Sequence, residues 1–169
     1  ESIFMSCTGR SHRTPRDREL IQREKEEALV HTRVEKQLGI SEITISLHAR
    51  EKKRVLINQT PAARLGELMG HLNSVMFSPD DIKLIREGPA ERRRFMDMEL
   101  SQVRPGYFYY LQQYNRVLHH RNNLLKSIQR KPSLAATLPV WDQQLAAAGS
   151  YIIYHRKLFH DSLHPIARE

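Results

Sequence analysis

The sequence has little cysteine and no long apolar run. Cys7 is the one cysteine among 169 residues, so an internal disulfide is excluded and no CxxC pair exists. No apolar stretch approaches the roughly 20 residues that a membrane-spanning helix needs. No basic stretch followed by an apolar one suggests a signal peptide. We therefore expect a cytoplasmic protein that does not contact the membrane.

Glycine is also sparse, and each of the seven glycines stands alone. An ATPase loop needs clustered glycines that end in Lys-Ser/Thr, so that backbone N–H groups can surround the phosphates. His160 and His164 are spaced i, i+4, but no HExxH pattern, cysteine or carboxylate completes a metal site. We therefore expect no catalytic residue, no bound metal and no ATP turnover in this chain alone.

The basic charge is concentrated in one segment. The net charge is +8. Residues 104–169 hold nine Lys or Arg against three acids, whereas residues 1–103 are nearly balanced. A basic surface of this kind attracts polyanions and supplies phosphate contacts. The alternative is a solvated helix face that keeps the protein soluble, and the charge alone leaves both open.

Alternating apolar residues predict an antiparallel meander over residues 28–58. Ile43, Ile45 and Leu47 alternate with polar residues, as expected for strands with one wet face. Earlier alternation from Ala28 predicts a partner strand. A further short strand is predicted over Ser74 to Phe77.

Three helix starts are predicted from capping chemistry. Thr60 and Ser78 each precede a proline and can cap a helix through the hydroxyl oxygen. Gly88-Pro89 repeats the arrangement with a weaker cap. Asp80 and Asp81 fall in a first turn, where the helix dipole favours negative charge.

From Pro105 onward the apolar period lengthens to that of helices. Two apolar stripes, joined by a linker between two prolines, predict an antiparallel helical hairpin over about 105–131 and 139–167. The tyrosines of the first helix lie at helical spacing and are interpreted as core. The predicted class is α+β, with a small antiparallel meander in residues 1–78 and a mainly helical lobe in residues 79–169.

Several segments together resemble the RecF family. These segments are Thr8-Gly9-Arg10-Ser11-His12-Arg13-Thr14, Phe77-Ser78-Pro79-Asp80-Asp81, Gly88-Pro89-Ala90-Glu91-Arg92-Arg93-Arg94-Phe95-Met96-Asp97 and Arg121-Asn122-Asn123-Leu124-Leu125-Lys126. RecF proteins are bacterial DNA replication and repair ATPases related to SMC and Rad50. Because the phosphate loop, the Leu-Ser-Gly-Gly signature and the strand ending in Asp-Glu are missing, the resemblance implies an internal fragment that begins in the ATPase lobe.

The resemblance implies a function for the full-length protein. It would bind ATP and Mg²⁺, form an ATP-dependent homodimer on double-stranded and gapped DNA, and load RecA together with RecO and RecR in gap repair and the SOS response. No cofactor is expected for the fragment alone.

Two groups of residues are implied to lie beside the nucleotide. The first is the loop at residues 8–14, whose guanidinium and hydroxyl groups suit phosphate oxygens; its implied site residues are Arg10, Ser11, His12 and Arg13. The second is Ser78 with Asp80, where relatives carry a nucleotide-sensing glutamine. The alternatives are an exposed polar loop for the first group and helix capping for the second.

The expected DNA contacts lie on the helices. In the run of three arginines we expect Arg93 and Arg94 to pair with Asp97, which leaves Arg92 the freest. The basic hairpin should follow backbone phosphates without sequence preference. The full set of candidate DNA-binding residues is Arg92, Arg116, Arg121, Lys126, Arg130 and Lys131.

Two other hypotheses remain open at this point. The hairpin can instead belong to a non-enzymatic interaction module that docks an acidic protein partner. The chain can also come from a related SMC-like repair ATPase outside RecF.

Overall fold

A computed structural model of the protein describes residues 1–37 and 39–168, with all side chains in those ranges except that of Asp80. The predicted role of Asp80 therefore lies outside the described side chains. The chain forms two compact units, Glu1–Gly88 and Pro89–Glu169, so the division falls later than the boundary expected after residue 78. Antiparallel strands occupy the first unit and long helices the second, which confirms the predicted α+β class.

The first unit is built on a four-stranded antiparallel sheet. Its strands are β1 (Glu27–Lys36), β2 (Gly39–His48), β3 (Arg54–Ile57) and β4 (Thr60–Pro61), in the order β1-β2-β3-β4. Ile45 of the central strand β2 lies opposite Val30 on one side and Val55 on the other. The meander predicted from alternation is confirmed.

One face of the sheet forms the core of the first unit. Ile43, Ile45 and Leu47 are at most 1% exposed, and they pack with Met5 and Leu68. Met5 belongs to the short helix α1 (Ser2–Thr8), which ends where Gly9 adopts the left-handed φ of 67°. Leu68 closes a 3₁₀ turn, Leu65–Leu68. Alternation in β2 therefore buries every second residue from Ser41 onward in the core and leaves the others partly exposed.

The helix start predicted at Thr60 is wrong. Asn58 and Gln59 both have positive φ, 49° and 65°, and they form a two-residue turn that returns Thr60 to lie opposite Ile57. The Asn58 side-chain oxygen accepts a 2.8 Å hydrogen bond from the Glu42 N–H, which holds the turn against β2. Two consecutive residues of positive φ are typical of a hairpin turn, and this turn overrides the capping signal of Thr60.

The strand predicted over Ser74 to Phe77 is also wrong, because these residues are irregular. A 3₁₀ turn begins at Pro79 as predicted, spans Pro79–Ile82 and leads into α2 (Lys83–Arg86). The Ser78 N–H donates a 2.6 Å hydrogen bond to the Asp81 carboxylate. Asp81 thus caps the turn by accepting from the backbone of Ser78.

The second unit contains three helices, α3 (Pro89–Val103), α4 (Pro105–Ile128) and α5 (Leu138–Ile166). Proline occupies the first turn of α4 and of α5, and a 3₁₀ segment, Pro132–Thr137, connects them. This confirms the predicted helical hairpin. Tyr107, Val117 and Ile152 are at most 3% exposed between the helices. A Cβ added at Gly149 would lie 3.3 Å from the Tyr114 ring, so glycine permits a close approach there.

A network of polar side chains joins all three helices. Arg156 of α5 donates from Nη2 and Nε to the two carboxylate oxygens of Asp97 on α3, at 2.9 and 3.0 Å, and the Tyr107 hydroxyl of α4 donates to the same carboxylate. Burial alone would lower the pKa of Arg156, but hydrogen bonds and the charge of Asp97 raise it overall. Burial and the neighbouring Asp97 raise the pKa of Tyr107. The expected pairing of Arg93 or Arg94 with Asp97 is wrong, because Asp97 is held by Arg156.

His155 is the buried histidine of α5. It is 7% exposed, and its ring lies 4.3 Å from that of Tyr151 and 5.2 Å from that of Tyr154, between centroids. Its Nδ1 has no hydrogen-bond partner within residues 1–37 and 39–168. The pKa of His155 is lowered mainly by burial and to a smaller extent by the positive charge of Arg104.

We predict that Tyr107→Phe destabilises the second unit by about 1–3 kcal/mol, because one donor to a partly buried carboxylate is lost. Tyr109→Phe is the matched control: Tyr109 is 56% exposed, so its hydroxyl should contribute less than about 0.5 kcal/mol. Urea denaturation followed by circular dichroism measures both. Equal effects of the two substitutions would contradict the network.

We also predict that His155 makes the protein less stable in acid. A lowered folded-state pKa leaves stability intact above the unfolded value of about 6.5, and stability falls as the pH drops below it, because only the unfolded chain takes up the proton. Between about pH 7.5 and about pH 5.5 the free energy of unfolding should fall more in wild type than in His155→Phe or His155→Gln. Neither Phe nor Gln titrates in this range, and the two side chains pack differently. A pH dependence lost in both variants is therefore due to the titration of His155 and not to packing. The same pH dependence in all three proteins would refute the prediction.

Candidate nucleic-acid interface

Polar and basic residues at alternating spacings of three and four occupy the solvent face of α4 and continue into the turn after it. We call this surface the basic face, and it is made of Arg116, His119, Asn123, Lys126 and Arg130. All five residues are exposed. Positions with these spacings lie on one side of a helix, so the fold brings three permanent cations together on one surface.

The basic face is long enough to follow a nucleic-acid backbone. At about 1.5 Å per residue, Lys126 lies about 15 Å along the helix from Arg116, and Arg130 lies about 21 Å from it. The Arg130 and Lys131 N–H groups both donate to the Ser127 carbonyl at 3.0 Å, so the chain keeps curling past the end of α4. Lys131 follows directly in the sequence and is a further exposed cation. The side chains of Asn123 and His119, one helical turn apart, are hydrogen-bonded, with 2.9 Å between Asn123 Nδ2 and His119 Nε2.

The charge of this face is not balanced by acids nearby. The sequence contains no Asp or Glu from residue 105 to residue 141. Within the described part of the chain, Arg116, Lys126 and Arg130 form no ion pair. Uncompensated cations in a row give the positive potential that attracts polyphosphates.

Two of the predicted DNA contacts lie elsewhere. Arg121 sits on the side of α4 that meets α5, and its Nε lies 2.5 Å from the Asp142 carboxylate. This ion pair joins the two helices of the hairpin. Arg92 is exposed on α3, but it takes part in an interaction of its own, so the expectation that it is the freest arginine is not supported. Arg94 lies 3.8 Å from Glu91.

The hydroxyl groups of the loop at residues 8–14 shape its backbone. Thr8 donates to the Phe4 carbonyl at 2.9 Å. The Ser11 oxygen accepts from the N–H groups of Arg13 and Thr14 at 3.0 and 3.2 Å, and its hydroxyl contacts Glu1. Ser11 is therefore a turn-forming residue whose oxygen is already engaged.

The cations of the same loop face outward. Arg10 is exposed, and the Arg13 side chain is 74% exposed, with its Nε 3.9 Å from a Glu1 oxygen. His12 is half-buried and meets the Phe4 ring edge to face, at 5.6 Å between centroids. Of the four predicted residues, Arg10 and Arg13 are thus the ones with exposed side chains.

Aromatic rings pair across the two helices of the hairpin. The His120 ring stacks on that of Trp141, the one tryptophan of the chain, with centroids 5.2 Å apart. Tyr110 stacks on Tyr151 at 4.2 Å, which joins α4 to α5. Tyr109, interpreted as core, is 56% exposed, whereas Tyr107 is fully buried. The two tyrosines are two positions apart and so project from different sides of the helix.

Residues 1–37 and 39–168 contain no cluster of three or more His, Cys, Asp or Glu placed to hold a metal ion. Among the helices of this range, none combines the length and the apolar character that crossing a bilayer requires.

No protein-family model matches the chain. Curated relatives are similar over nearly all of it. The DNA replication and repair protein RecF of Alkaliphilus oremlandii is 46% identical over 159 residues, which is 94% of this chain and 43% of that protein. The RecF of Acetivibrio thermocellus is 46% identical over 169 residues, which is 100% of this chain and 46% of that protein.

Two solved structures share the fold. The recombination mediator protein RecF-ATP of the RecFOR pathway superposes with a TM-score of 0.91 at 33% identity. The RecF-ATPrS structure of the same pathway gives a TM-score of 0.89 at 32% identity. In each case the match covers 96% of this chain and 44% of the other. The chain therefore belongs to the RecF family, and it spans slightly less than half the length of the relatives that it matches.

Proposed function

We propose that this chain supplies the DNA-contacting helical lobe and part of the ATPase lobe of a RecF protein. The full-length protein would bind ATP with Mg²⁺, dimerise on duplex DNA beside a single-strand gap, and act with RecO and RecR to load RecA in the cytoplasm. Membership of the family supports this proposal, as do the ATP and the RecFOR pathway named for the two similar structures.

We assign the two units different roles in this activity. The unit Glu1–Gly88 contributes the loop at residues 8–14, beside the nucleotide, to the ATPase lobe. The unit Pro89–Glu169 is the helical lobe. The clustered glycines and the Lys-Ser/Thr of a phosphate loop are not in this sequence. The 169 residues alone should therefore neither bind ATP tightly nor hydrolyse it.

The basic face is the observation that carries the DNA-binding part of the proposal. Three exposed cations and Lys131 lie within a stretch that has no acid from residue 105 to residue 141. Each cation that reaches a phosphate releases condensed counterions, so binding should be sensitive to salt. Arg and Lys side chains in a row on a helix surface contact the phosphates of the DNA backbone rather than the edges of the bases. Binding should therefore not depend on the DNA sequence.

The nucleotide-side residues contribute in different ways under this proposal. Arg10 and Arg13 supply positive charge toward the phosphates, whereas Ser11 sets the loop turn and His12 packs against Phe4. Ser78, whose N–H is bound to Asp81, and Asp80 remain the proposed sensing positions.

We predict that Arg10→Ala combined with Arg13→Ala, in the full-length protein, weakens ATP binding about tenfold or more, because charge-assisted contacts to phosphate are lost. Arg16→Ala is the matched control, since Arg16 is already paired with Glu19 at 3.3 Å. Titration with a fluorescent ATP analogue measures the affinity. An unchanged affinity in the double variant would remove this loop from the nucleotide site.

We predict that Arg116→Glu combined with Lys126→Glu lowers the affinity for a short duplex about tenfold or more at low salt. Arg23→Glu combined with Lys25→Glu changes the net charge equally at exposed positions of the other unit, and it should have a much smaller effect. Fluorescence anisotropy with labelled DNA measures both. Arg121 is left unchanged because its pair with Asp142 joins the hairpin.

Circular dichroism checks that both variants keep their helices. If the variant of the basic face binds DNA as well as wild type, the proposed interface is wrong. If it instead loses an acidic protein partner, the chain is the interaction module considered as the alternative.

A further inference from the structure

Tyr109 continues the line of the basic face toward the start of α4. It lies seven residues before Arg116, and Asn123 and Arg130 follow at the same interval of seven. Seven residues make nearly two helical turns, so Tyr109, Arg116 and Asn123 lie on one side of α4, about 10.5 Å apart, and Arg130 follows in the turn after the helix. The side chain of Tyr109 is 56% exposed, unlike the buried Tyr107. An exposed aromatic ring therefore stands at the end of a row of cations.

The ring of Tyr109 is held in place by its neighbours. It meets the Tyr110 ring at 81°, with 5.5 Å between centroids. Tyr110 in turn stacks on Tyr151 of α5 at 4.2 Å and 24°. Tyr110 and Tyr151 are both half-buried, so this stack belongs to the packed hairpin. Tyr109 rests on the packed pair of Tyr110 and Tyr151. Its own side chain therefore loses little conformational freedom when a ligand stacks on it.

The residues that follow Tyr109 on its side of α4 are polar. Its neighbours about one and two turns further along are Gln112 and Arg116, both exposed. The centre of a protein–protein hot spot is typically surrounded by other contacts that exclude water. An exposed aromatic ring in line with cations is instead the combination that binds single-stranded nucleic acids, with phosphates on the cations and a base on the ring.

We propose that Tyr109 is a stacking site for an unpaired nucleobase, adjoining the phosphate track of the basic face. The inference rests on the proposed DNA-binding function and adds a preference within it. Bases inside a duplex are covered by their neighbours, so we expect the Tyr109 ring to stack on an unpaired base of a single-stranded segment. The distance of about 10.5 Å to Arg116 corresponds to about three nucleotide steps of about 3.4 Å.

The test compares two DNA probes at low salt by fluorescence anisotropy. One probe is a blunt duplex, and the other is the same duplex with a short single-stranded thymidine tail. Stacking on one aromatic side chain is worth about 1–3 kcal/mol per base, so Tyr109→Ala should weaken binding of the tailed probe about tenfold. Its affinity for the blunt duplex should change less than about twofold. Tyr109→Phe keeps the ring and should bind both probes like wild type.

A second measurement leaves the protein unchanged. Replacing the tail bases by abasic sites should weaken wild-type binding about as much as Tyr109→Ala does, and the variant should not distinguish the two tails. Because the protein is wild type in this comparison, a loss of affinity cannot be caused by misfolding.

The outcomes separate the inference from the proposed function. If wild type and Tyr109→Ala bind the tailed probe equally, the stacking site is overturned, while loss of duplex binding in the variant of the basic face would still support the interface. If neither probe binds to wild type at low salt, the proposed function itself fails. If Tyr109→Ala keeps all DNA binding but loses a protein partner, Tyr109 is a protein-docking residue and the inference is wrong.

Discussion

The pairing of acids within the helical unit is the constraint on which the proposed interface depends. Asp97 is held by Arg156 and Tyr107, and Asp142 by Arg121. Asp161 is bound by Lys157 at 2.7 Å. The first two carboxylates join helices and the third is paired within α5, so these acids do not neutralise the cations of the basic face. The partly buried network around Asp97 and the exposed Arg121–Asp142 pair join the helices, and the exposed cations are then available to a polyanion.

Much of the fold follows from local patterns in the sequence. Alternation around Ile45 predicts β2 and its register, because a strand with one buried face tolerates no slip by one residue. Pro105 and Pro139 mark the starts of the long helices, since proline suits the first turn. Thr60 fails as a helix start because the preceding turn reverses the chain into β4. The capping signal of Thr60 comes from its own and the next residue alone. The hairpin instead depends on the pairing of β4 with β3, which the capping signal does not include.

The candidate site is less predictable, because it depends on contacts between distant residues. Asp97 is bound by Arg156, 59 positions away, so local i, i+4 spacing suggests the wrong partner. The charge pattern correctly indicates an acid-free helix, but only the packing separates Arg121, which faces α5, from Arg116, which faces water. The exposure of Tyr109 was within reach of the sequence, since its position differs from that of Tyr107 by about 200° around the helix.

The salt dependence of wild-type binding to a blunt duplex tests whether the exposed cations of α4 and of the turn after it contact DNA phosphates. If Arg116, Lys126, Arg130 and Lys131 each neutralise one phosphate, a plot of log affinity against log salt concentration should be linear with a slope of about −3.6. A slope shallower than about −1, or no binding at low salt, would contradict the assignment of this helix face to DNA.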